Sequence, residues 1–195
     1  MNDETDKINI AVIEGTTRPQ RESIKVARFI EKIGKTYDEL SVLLVDPVDF
    51  NLPGDGNDPE GKDPRYTKIT EMADGFFIVT PEYNRSFPGS LKRLLDSELK
   101  NYIHKPVVFA GASSGAFGGV RAIESLIHVT REMGMLPSFA EVPVPFVQDA
   151  FDEFGNPKDP KIEERVRAAY AELIWLAKAT MWAKQNVPNK FHKKD

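Results

Sequence analysis

Five short apolar segments alternate with amphipathic segments along the 195-residue chain, and this alternation limits the fold more than any other feature. Residues 8–13 and 75–80 are apolar runs rich in β-branched and aromatic side chains, which is typical of buried strands. The remaining predicted strands show the same pattern and cover Leu40–Val45, residues 106–111 and residues 139–145. Pro143 and Pro145 lack backbone N–H donors, so the fifth strand is predicted to lie at a sheet edge.

Helical spacing follows the predicted strands. After the first strand, Val26, Ala27, Ile30 and Ile33 fall on one face, and Gly34 is a typical helix end. The other predicted helices cover residues 67–73, residues 91–99, the segment that carries Ile123, Leu126, Ile127 and Val129 on its inner face, and residues 161–183. Because strands that alternate with helices form parallel βαβ units, we predict an α/β fold with one five-stranded parallel sheet. It forms a single domain over residues 1–195, with flexible tails at 1–7 and 187–195.

Composition excludes several classes of function. The chain has no cysteine, which rules out disulfides, thiolate zinc sites, iron–sulfur clusters and thiol relays. The net charge of −4, with acids and bases interspersed, argues against a nucleic-acid partner. The apolar runs are too short for a membrane span and the N-terminus does not resemble a signal peptide, so we expect no membrane partner and a cytoplasmic location. His104, His128 and His192 lack metal-ligand spacing, so no metal site is predicted.

Polar loops follow the first, third and fourth predicted strands. In the strand order 2-1-3-4-5 these strands are neighbours, and ligands of such sheets bind outside the carboxyl ends of the strands, at the point where the order reverses. The sequence therefore predicts one site, formed by the loops at residues 15–23, 80–90 and 113–119.

The loop at residues 15–23 has the features of an anion site. It leads into a helix N-terminus, where free backbone N–H groups and the helix dipole favour negative charge. Thr16, Thr17 and Ser23 add hydroxyls, and Arg18 or Arg21 adds a fixed charge, a combination that suits a phosphate monoester. The alternative is a capped helix start, with Ser23 as N-cap and both arginines in solvent.

The loop at residues 80–90 suits a flat ligand with polar edges. Tyr83 provides a planar ring, Asn84 provides hydrogen-bond donors and acceptors, and Pro81 and Pro88 stiffen the path. The alternative is a simple turn with Pro88 at the first position of a helix. The glycine-rich loop at residues 113–119 either lets the backbone approach a ligand closely or is only a flexible connection.

Three motifs together carry a resemblance to a known family. They are Gly15-Thr16-Thr17-Arg18-Pro19, Thr80-Pro81-Glu82-Tyr83-Asn84 and Gly118-Gly119-x-Arg121-Ala122. The chain is similar over residues 8–145 to the NADPH-dependent FMN reductase family, which has a flavodoxin-like three-layer sandwich and includes quinone reductases, azoreductases and chromate reductases. The resemblance implies FMN as cofactor and NADPH or NADH as co-substrate.

By this resemblance, three groups of residues contact FMN. Thr16, Arg18, Gln20 and Ser23 hold the phosphate; Pro81, Glu82, Tyr83 and Asn84 line the ring and the ribityl chain, with Arg85 beside the flavin; Ser113, Ser114, Gly115 and Gly118 contact the polar edge of the ring. Two features differ from the family. Glycine is common where this chain has Arg85, and the loop at residues 51–66 is longer and more acidic.

The implied activity is that of an FMN-dependent NAD(P)H oxidoreductase without a protein general base. Hydride passes from NAD(P)H to FMN, and electrons then pass to a quinone, an azo compound, a flavin or a metal oxyanion. Arg18, Arg21 and Arg85 are candidates to meet the 2′-phosphate of NADPH. One alternative is a flavodoxin-like electron carrier or flavin-binding sensor without NAD(P)H turnover. Another is a phosphate-binding hydrolase, which the lack of a nucleophile with a paired base disfavours.

The last predicted helix carries Trp175 and Trp182, seven residues apart, which suggests that both pack. The resemblance implies a homodimer or homotetramer, in which one face of this helix packs on a second subunit.

Overall fold

The computed structural model describes residues 7–50 and 62–192, and within them five strands alternate with five α-helices. The strands are β1 (Ile8–Glu14), β2 (Leu40–Val45), β3 (Gly75–Pro81), β4 (Pro106–Ala112) and β5 (Leu136–Val144). The helices are α1 (Ser23–Gly34), α2 (Pro64–Met72), α3 (Gly89–Asp96), α4 (Val120–Glu132) and α5 (Pro160–Asn186). Residues 51–61 of the predicted acidic loop, and residues 1–6 and 193–195 of the predicted tails, lie outside the described part.

The sheet is fully parallel in the order β2-β1-β3-β4-β5, which confirms the predicted topology. On the central strand β3, Phe76, Phe77, Ile78 and Val79 have no exposed surface. Helices cover both faces of such a sheet, which is why its central strand is a continuous apolar run. The order brings the carboxyl ends of β1, β3 and β4 side by side.

Two hydrophobic cores confirm the three-layer sandwich. Val26 of α1 and Tyr170 of α5 belong to the core on one side of the sheet. Tyr66 of α2, Leu94 of α3 and Ile123 of α4 belong to the core on the other side. All five side chains are almost completely buried, and burial of each aliphatic one contributes roughly 1.5–3 kcal/mol of transfer free energy.

The fifth strand begins at Leu136, earlier than the predicted start at residue 139. Its pairing register with β4 shifts between Val107 and Phe109, so extra β5 residues stand opposite this part of β4. A bulge of this kind breaks the two-residue period that sequence reasoning depends on. The prediction that this strand lies at a sheet edge is confirmed.

Three helix boundaries also differ from the predicted ones. α2 begins at Pro64, because Asp63 accepts a hydrogen bond from the backbone N–H of Arg65 and caps the helix. α3 ends at Asp96 rather than at residue 99. α5 extends to Asn186, and its N-cap Asp159 accepts from the backbone N–H of Lys161. No described helix is both long enough and apolar enough to cross a membrane.

The two tryptophans of α5 are largely exposed within the chain, and packing of this helix on a second subunit stays a prediction. Trp175 is 66% exposed and Trp182 is 62% exposed. Beyond the end of this helix, residues 190–192 form a 3₁₀ turn, and a ring nitrogen of His192 lies 2.6 Å from one of His104.

Candidate functional site

The loops after β1, β3 and β4 meet around a cavity of about 330 Å³. The cavity is lined by Arg18, Pro19, Gln20, Arg21, Glu22 and Ser23 from the first loop and the start of α1, by Pro81, Glu82 and Tyr83 from the second loop, by Ala112, Ser113 and Ser114 at the end of β4, and by Val147 beyond β5. Its volume is within the range of small-molecule sites, which is roughly 300–1,000 Å³. The three loops therefore meet at one place, as predicted, and the binding of a ligand there stays a prediction.

The first loop is held against β3 and against the second loop. A Cβ at Gly15 would lie 2.5 Å from the carbonyl oxygen of Val79, so glycine is required where the loop leaves the sheet. The Thr16 hydroxyl oxygen accepts from the backbone N–H of Arg18 and lies 3.2 Å from the Tyr83 hydroxyl. Thr16 therefore joins the two loops, and it is buried behind the cavity wall.

Backbone donors of the first loop are free to bind an anion. The N–H groups of Thr17, Gln20 and Arg21 have no acceptor among the described residues. Gln20 adopts a positive φ of 55°, a left-handed conformation that is rare outside glycine. Free N–H groups before a helix N-terminus favour an anion, and the Arg18 guanidinium is not paired with any described carboxylate.

A buried acid lies beneath this loop, and sequence reasoning overlooked it. Glu14 ends β1 with no exposed surface, and its Oε1 accepts a 2.5 Å hydrogen bond from the Ser23 hydroxyl. The Nε atom of Arg21 lies 3.8 Å from the same oxygen, and the Arg21 guanidinium also pairs with Asp46. Burial raises the pKa of Glu14 to about 7, although Ser23, Arg21 and Thr16 lower it.

The alternative prediction for Ser23 was wrong. The N-cap of α1 is Glu22, and neither that residue nor Ser23 provides a side-chain cap. The Ser23 hydroxyl is instead directed to Glu14. Arg21 is also not free in solvent, because it bridges Glu14 and Asp46.

The second loop contains a tight turn whose two central residues are exposed. Tyr83 and Ser86 exchange two backbone hydrogen bonds of 2.8 and 2.9 Å, and the residues between them, Asn84 and Arg85, have φ values of 51° and 66°. Two hydrogen-bonded residues that flank two positive-φ residues form a type I′ turn, for which Asn-Gly is the preferred central pair. The turn explains why glycine suits the position of Arg85.

Glu82 connects the second loop to α4. Its Oε1 accepts a 2.9 Å hydrogen bond from Arg121, whose guanidinium also lies 4.3 Å from the centroid of the Phe117 ring. The backbone N–H of Glu82 donates to the carbonyl of Ala112 on β4. The Glu82 carboxylate is therefore held in place at the cavity wall.

The third loop is shaped by close packing of glycines. A Cβ at Gly111 would lie 2.5 Å from the carbonyl oxygen of Gly118, and Gly118 and Gly119 have φ values of 62° and 83°. Gly118 thus packs between β4 and β5 rather than facing the cavity. The Ser113 hydroxyl donates to the carbonyl of Gly115, which closes the turn.

The structure divides the predicted site residues into two groups. Those that line the cavity are Arg18, Gln20, Ser23, Pro81, Glu82, Tyr83, Ser113 and Ser114. Those that do not line it are Thr16, Asn84, Arg85, Gly115 and Gly118. The residues that were not predicted are Pro19, Glu22, Ala112 and Val147, which line the cavity, and Glu14 and Asp46, which pair with Arg21 of its wall. Glu14 was visible in the sequence as a charged residue at the end of an apolar strand, but its partner Ser23 was not predictable from that position.

Unsatisfied polar atoms support a polar ligand at this cavity. Among the described residues, the buried side-chain atoms without a hydrogen-bond partner are Oε2 of Glu14, Nε of Arg21 and Oε2 of Glu82. Buried polar atoms are rarely left unpaired in folded proteins. All three belong to residues in or directly beneath the cavity wall. The cavity wall combines the Arg18 guanidinium and the free N–H groups of the first loop with the flat Tyr83 ring and the polar groups of the second loop. These features together fit a phosphorylated planar cofactor such as FMN.

Comparison with known families agrees with this chemistry. The model of the family described as NADPH-dependent FMN reductase matches residues 8–149, well over half of the chain. The chain belongs to the NADPH-dependent FMN reductase family. It is accordingly an oxidoreductase, and its family uses FMN and NAD(P)H.

Related proteins extend the match beyond the motifs. An NAD(P)H-dependent FMN reductase of Pseudomonas aeruginosa is 29% identical over 181 residues, which cover 88% of this chain and 97% of the relative. A quinone reductase of Pseudomonas putida is 27% identical over 192 residues, with 91% and 96% covered. Among solved structures, the flavoenzyme NAD(P)H:acceptor oxidoreductase FerB of Paracoccus denitrificans has a TM-score of 0.69 at 23% identity, covering 88% of this chain and 98% of its own. This structural likeness supports the flavodoxin-like fold.

Proposed function

We propose that the cavity binds FMN and that the chain transfers electrons from NAD(P)H to a small planar acceptor. The observation that carries this proposal is that one cavity is lined both by a loop with backbone N–H groups and an arginine that are unpaired among the described residues and by a loop that carries Pro81 and Tyr83. FMN has a phosphate at one end and a flat tricyclic ring at the other, so it needs both features in one site. When bound, FMN supplies the chemistry for accepting a hydride and passing electrons on.

The phosphate is proposed to lie against the first loop. Arg18 offers a guanidinium without a described carboxylate partner, and Thr17 and Gln20 offer free backbone N–H groups. Charge-assisted hydrogen bonds of this kind are the strongest that a site can provide without a metal. The positive φ of Gln20 is consistent with a loop whose backbone is shaped for binding.

The ring is proposed to lie beside Pro81, Tyr83 and the Ser113–Ser114 backbone. Contacts outside the cavity hold these walls in place: Thr16 lies within hydrogen-bond distance of the Tyr83 hydroxyl, and Arg121 binds Glu82. Walls that are fixed in this way lose little conformational freedom on binding, so the site is largely preorganised.

A quinone is the acceptor class that we propose first. Phe117 and Phe146 are 61% and 52% exposed, and the backbone N–H of Phe146 donates to Gly115 in the third loop. Phe146 directly precedes Val147 of the cavity wall, and Phe117 belongs to the third loop, so exposed aromatic rings near the cavity favour stacking with a planar acceptor over binding of a metal oxyanion. The quinone reductases among the relatives agree with this choice.

An Arg18→Ala variant tests where FMN binds. A charge-assisted hydrogen bond contributes roughly 1.5–3 kcal/mol, so FMN affinity should fall by about tenfold to a hundredfold. Riboflavin lacks the phosphate, and its affinity should not change. Fluorescence titration of both flavins measures the two constants. Unchanged FMN affinity would contradict the assignment of the first loop, and an equal loss for riboflavin would indicate general damage to the site.

We also propose that the chain is one domain that works in the cytoplasm as a homodimer or homotetramer. Trp175 and Trp182 lie two turns apart on α5 and are largely exposed, which supports self-association, because apolar surface grouped on one helix face is typical of a protein–protein contact. Sedimentation velocity measures the assembly state. A monomer at micromolar concentration would contradict the proposal.

A further inference from the structure

Glu14 is a buried acid whose proton can alter the anion-binding loop. It has no exposed surface, its Oε1 accepts from the Ser23 hydroxyl, and its Oε2 has no partner among the described residues. The charged groups that face it are Arg21 of the first loop and Asp46 after β2, and these two also pair with each other. Arg21 is therefore shared between two carboxylates and compensates Glu14 only in part.

The Ser23 hydroxyl connects this acid to the cavity. A serine hydroxyl has one proton to donate, and an ionised carboxylate can only accept. While Glu14 is ionised, Ser23 therefore donates inward and presents only lone pairs to the cavity that it lines. Once Glu14 carries a proton, it can donate to Ser23, and the Ser23 proton can turn towards an anion in the cavity.

We propose that Glu14 is a proton-linked positioning residue, which directs the Ser23 hydroxyl so that a phosphate monoester binds together with one proton. The inference rests on the proposed function, because FMN is the ligand that brings the phosphate. Glu14 does not touch the ligand; it acts through Ser23.

The electrostatics of the site support this linkage. Burial raises the pKa of Glu14 to about 7, and Asp46 raises it as well, whereas Ser23, Arg21 and Thr16 lower it. A phosphate dianion bound nearby is a further negative charge, and a like charge raises the pKa of a carboxyl. Glu14 is therefore more protonated in the complex than in the free protein at pH 7–9, so binding takes up a proton in that range.

Isothermal titration calorimetry tests the proposal. The second pKa of a phosphate monoester is about 6, so FMN itself is fully ionised at pH 7.5–9 and takes up no proton there. Titration in two buffers of different ionisation enthalpy measures the protons taken up. For the wild type we expect uptake approaching one proton at pH 8, and a dissociation constant that rises up to about tenfold per pH unit above pH 7.

Matched variants and a matched ligand isolate the source of the proton. Glu14→Gln should abolish the uptake and flatten the pH dependence. Glu31→Gln, the same change near the other end of α1, where the carboxylate is half-buried and paired with Lys35, should preserve both. Riboflavin, which has the same ring and no phosphate, should bind the wild type without uptake.

Two results would overturn the inference in distinguishable ways. FMN binding without proton uptake removes the role of Glu14 and leaves the proposed function intact, whereas a failure to bind FMN removes both. If Glu14→Gln does not fold, the infrared difference spectrum of the wild type at pH 8 replaces it. The band of a protonated carboxyl should grow when FMN binds but not when riboflavin binds, and its absence contradicts the proposal.

Discussion

Replacing Arg85 with glycine should stabilise the protein, although it removes the longest side chain of the turn. Arg85 occupies the second central position of the type I′ turn between Tyr83 and Ser86, with a φ of 66°. The side chain is exposed and takes part in no ion pair among the described residues. The substitution therefore changes backbone strain more than it changes contacts.

The expected gain follows from two opposing effects. A non-glycine residue in the left-handed region costs roughly 1–2 kcal/mol relative to the right-handed one. Glycine loses more backbone freedom on folding, which costs roughly 0.5–1 kcal/mol. The difference is a gain of about 0.5–1 kcal/mol in the free energy of unfolding. For a chain of this length that corresponds to a rise in Tm of roughly 1–4 °C.

Urea unfolding of the FMN-free protein measures the gain without a contribution from ligand binding. Arg85→Ala is the matched control, because it removes the same side chain but keeps the strain, so its stability should stay within about 0.5 kcal/mol of the wild type. Arg85→Gly should exceed Arg85→Ala by about 0.5–1 kcal/mol. A glycine variant no more stable than the alanine variant would refute the assignment of strain to this turn.

Three further predictions concern packing, pH and co-substrate choice. Gly34→Ala should lose roughly 1–3 kcal/mol of unfolding free energy, because the new methyl group meets the hydroxyl of Tyr170. Gly89→Ala is its control: a methyl group there has no atom within 4 Å, so this variant should be neutral or stabilising in the same assay. The pKa of Glu14 in the folded protein, about 7, lies above the ordinary value of 4.5. Between these two pH values the folded state holds a proton that the unfolded state has released. The free energy of unfolding should therefore fall by about 3 kcal/mol as pH rises from 4.5 to 7. Glu14→Gln should lack this pH-dependent loss of stability. If the wild type and Glu14→Gln give parallel curves of stability against pH, Glu14 is not its source. Arg85→Ala should lower the ratio of kcat/KM for NADPH over NADH if its guanidinium meets the 2′-phosphate, and an unchanged ratio excludes Arg85 as the selector.

The topology was predictable because each layer leaves a local signature. Continuous apolar runs such as Phe76–Val79 indicate strands covered on both faces, and amphipathic spacing such as that of Val26 and Ile30 indicates the covering helices. The start of β5 was not predictable, because its register shift against Val107 and Phe109 breaks the strand period.

The location of the candidate site was predictable from the sequence, but the hydrogen bonds between its residues were not. The polar loops revealed the three strand ends, yet the Glu14–Ser23 hydrogen bond joins residues nine positions apart through the turn of the first loop. Sequence rules for helix caps assigned Ser23 to a local role, and the buried carboxylate overrode that preference. The type I′ turn was also not predictable, because Asn84-Arg85 stands where the Asn-Gly pair typical of this turn would indicate it.

In the proposed reaction, NAD(P)H reduces a flavin held in this cavity and a small planar acceptor reoxidises it. The most direct measurement is the absorbance spectrum of the FMN-loaded protein under anaerobic conditions, before and after NADPH and then a quinone are added. We expect the flavin absorbance to bleach rapidly with NADPH and to return with the quinone. A flavin that stays oxidised would contradict reductase activity and indicate an electron carrier or sensor, and a protein that cannot be loaded with FMN would contradict the assignment of the cavity.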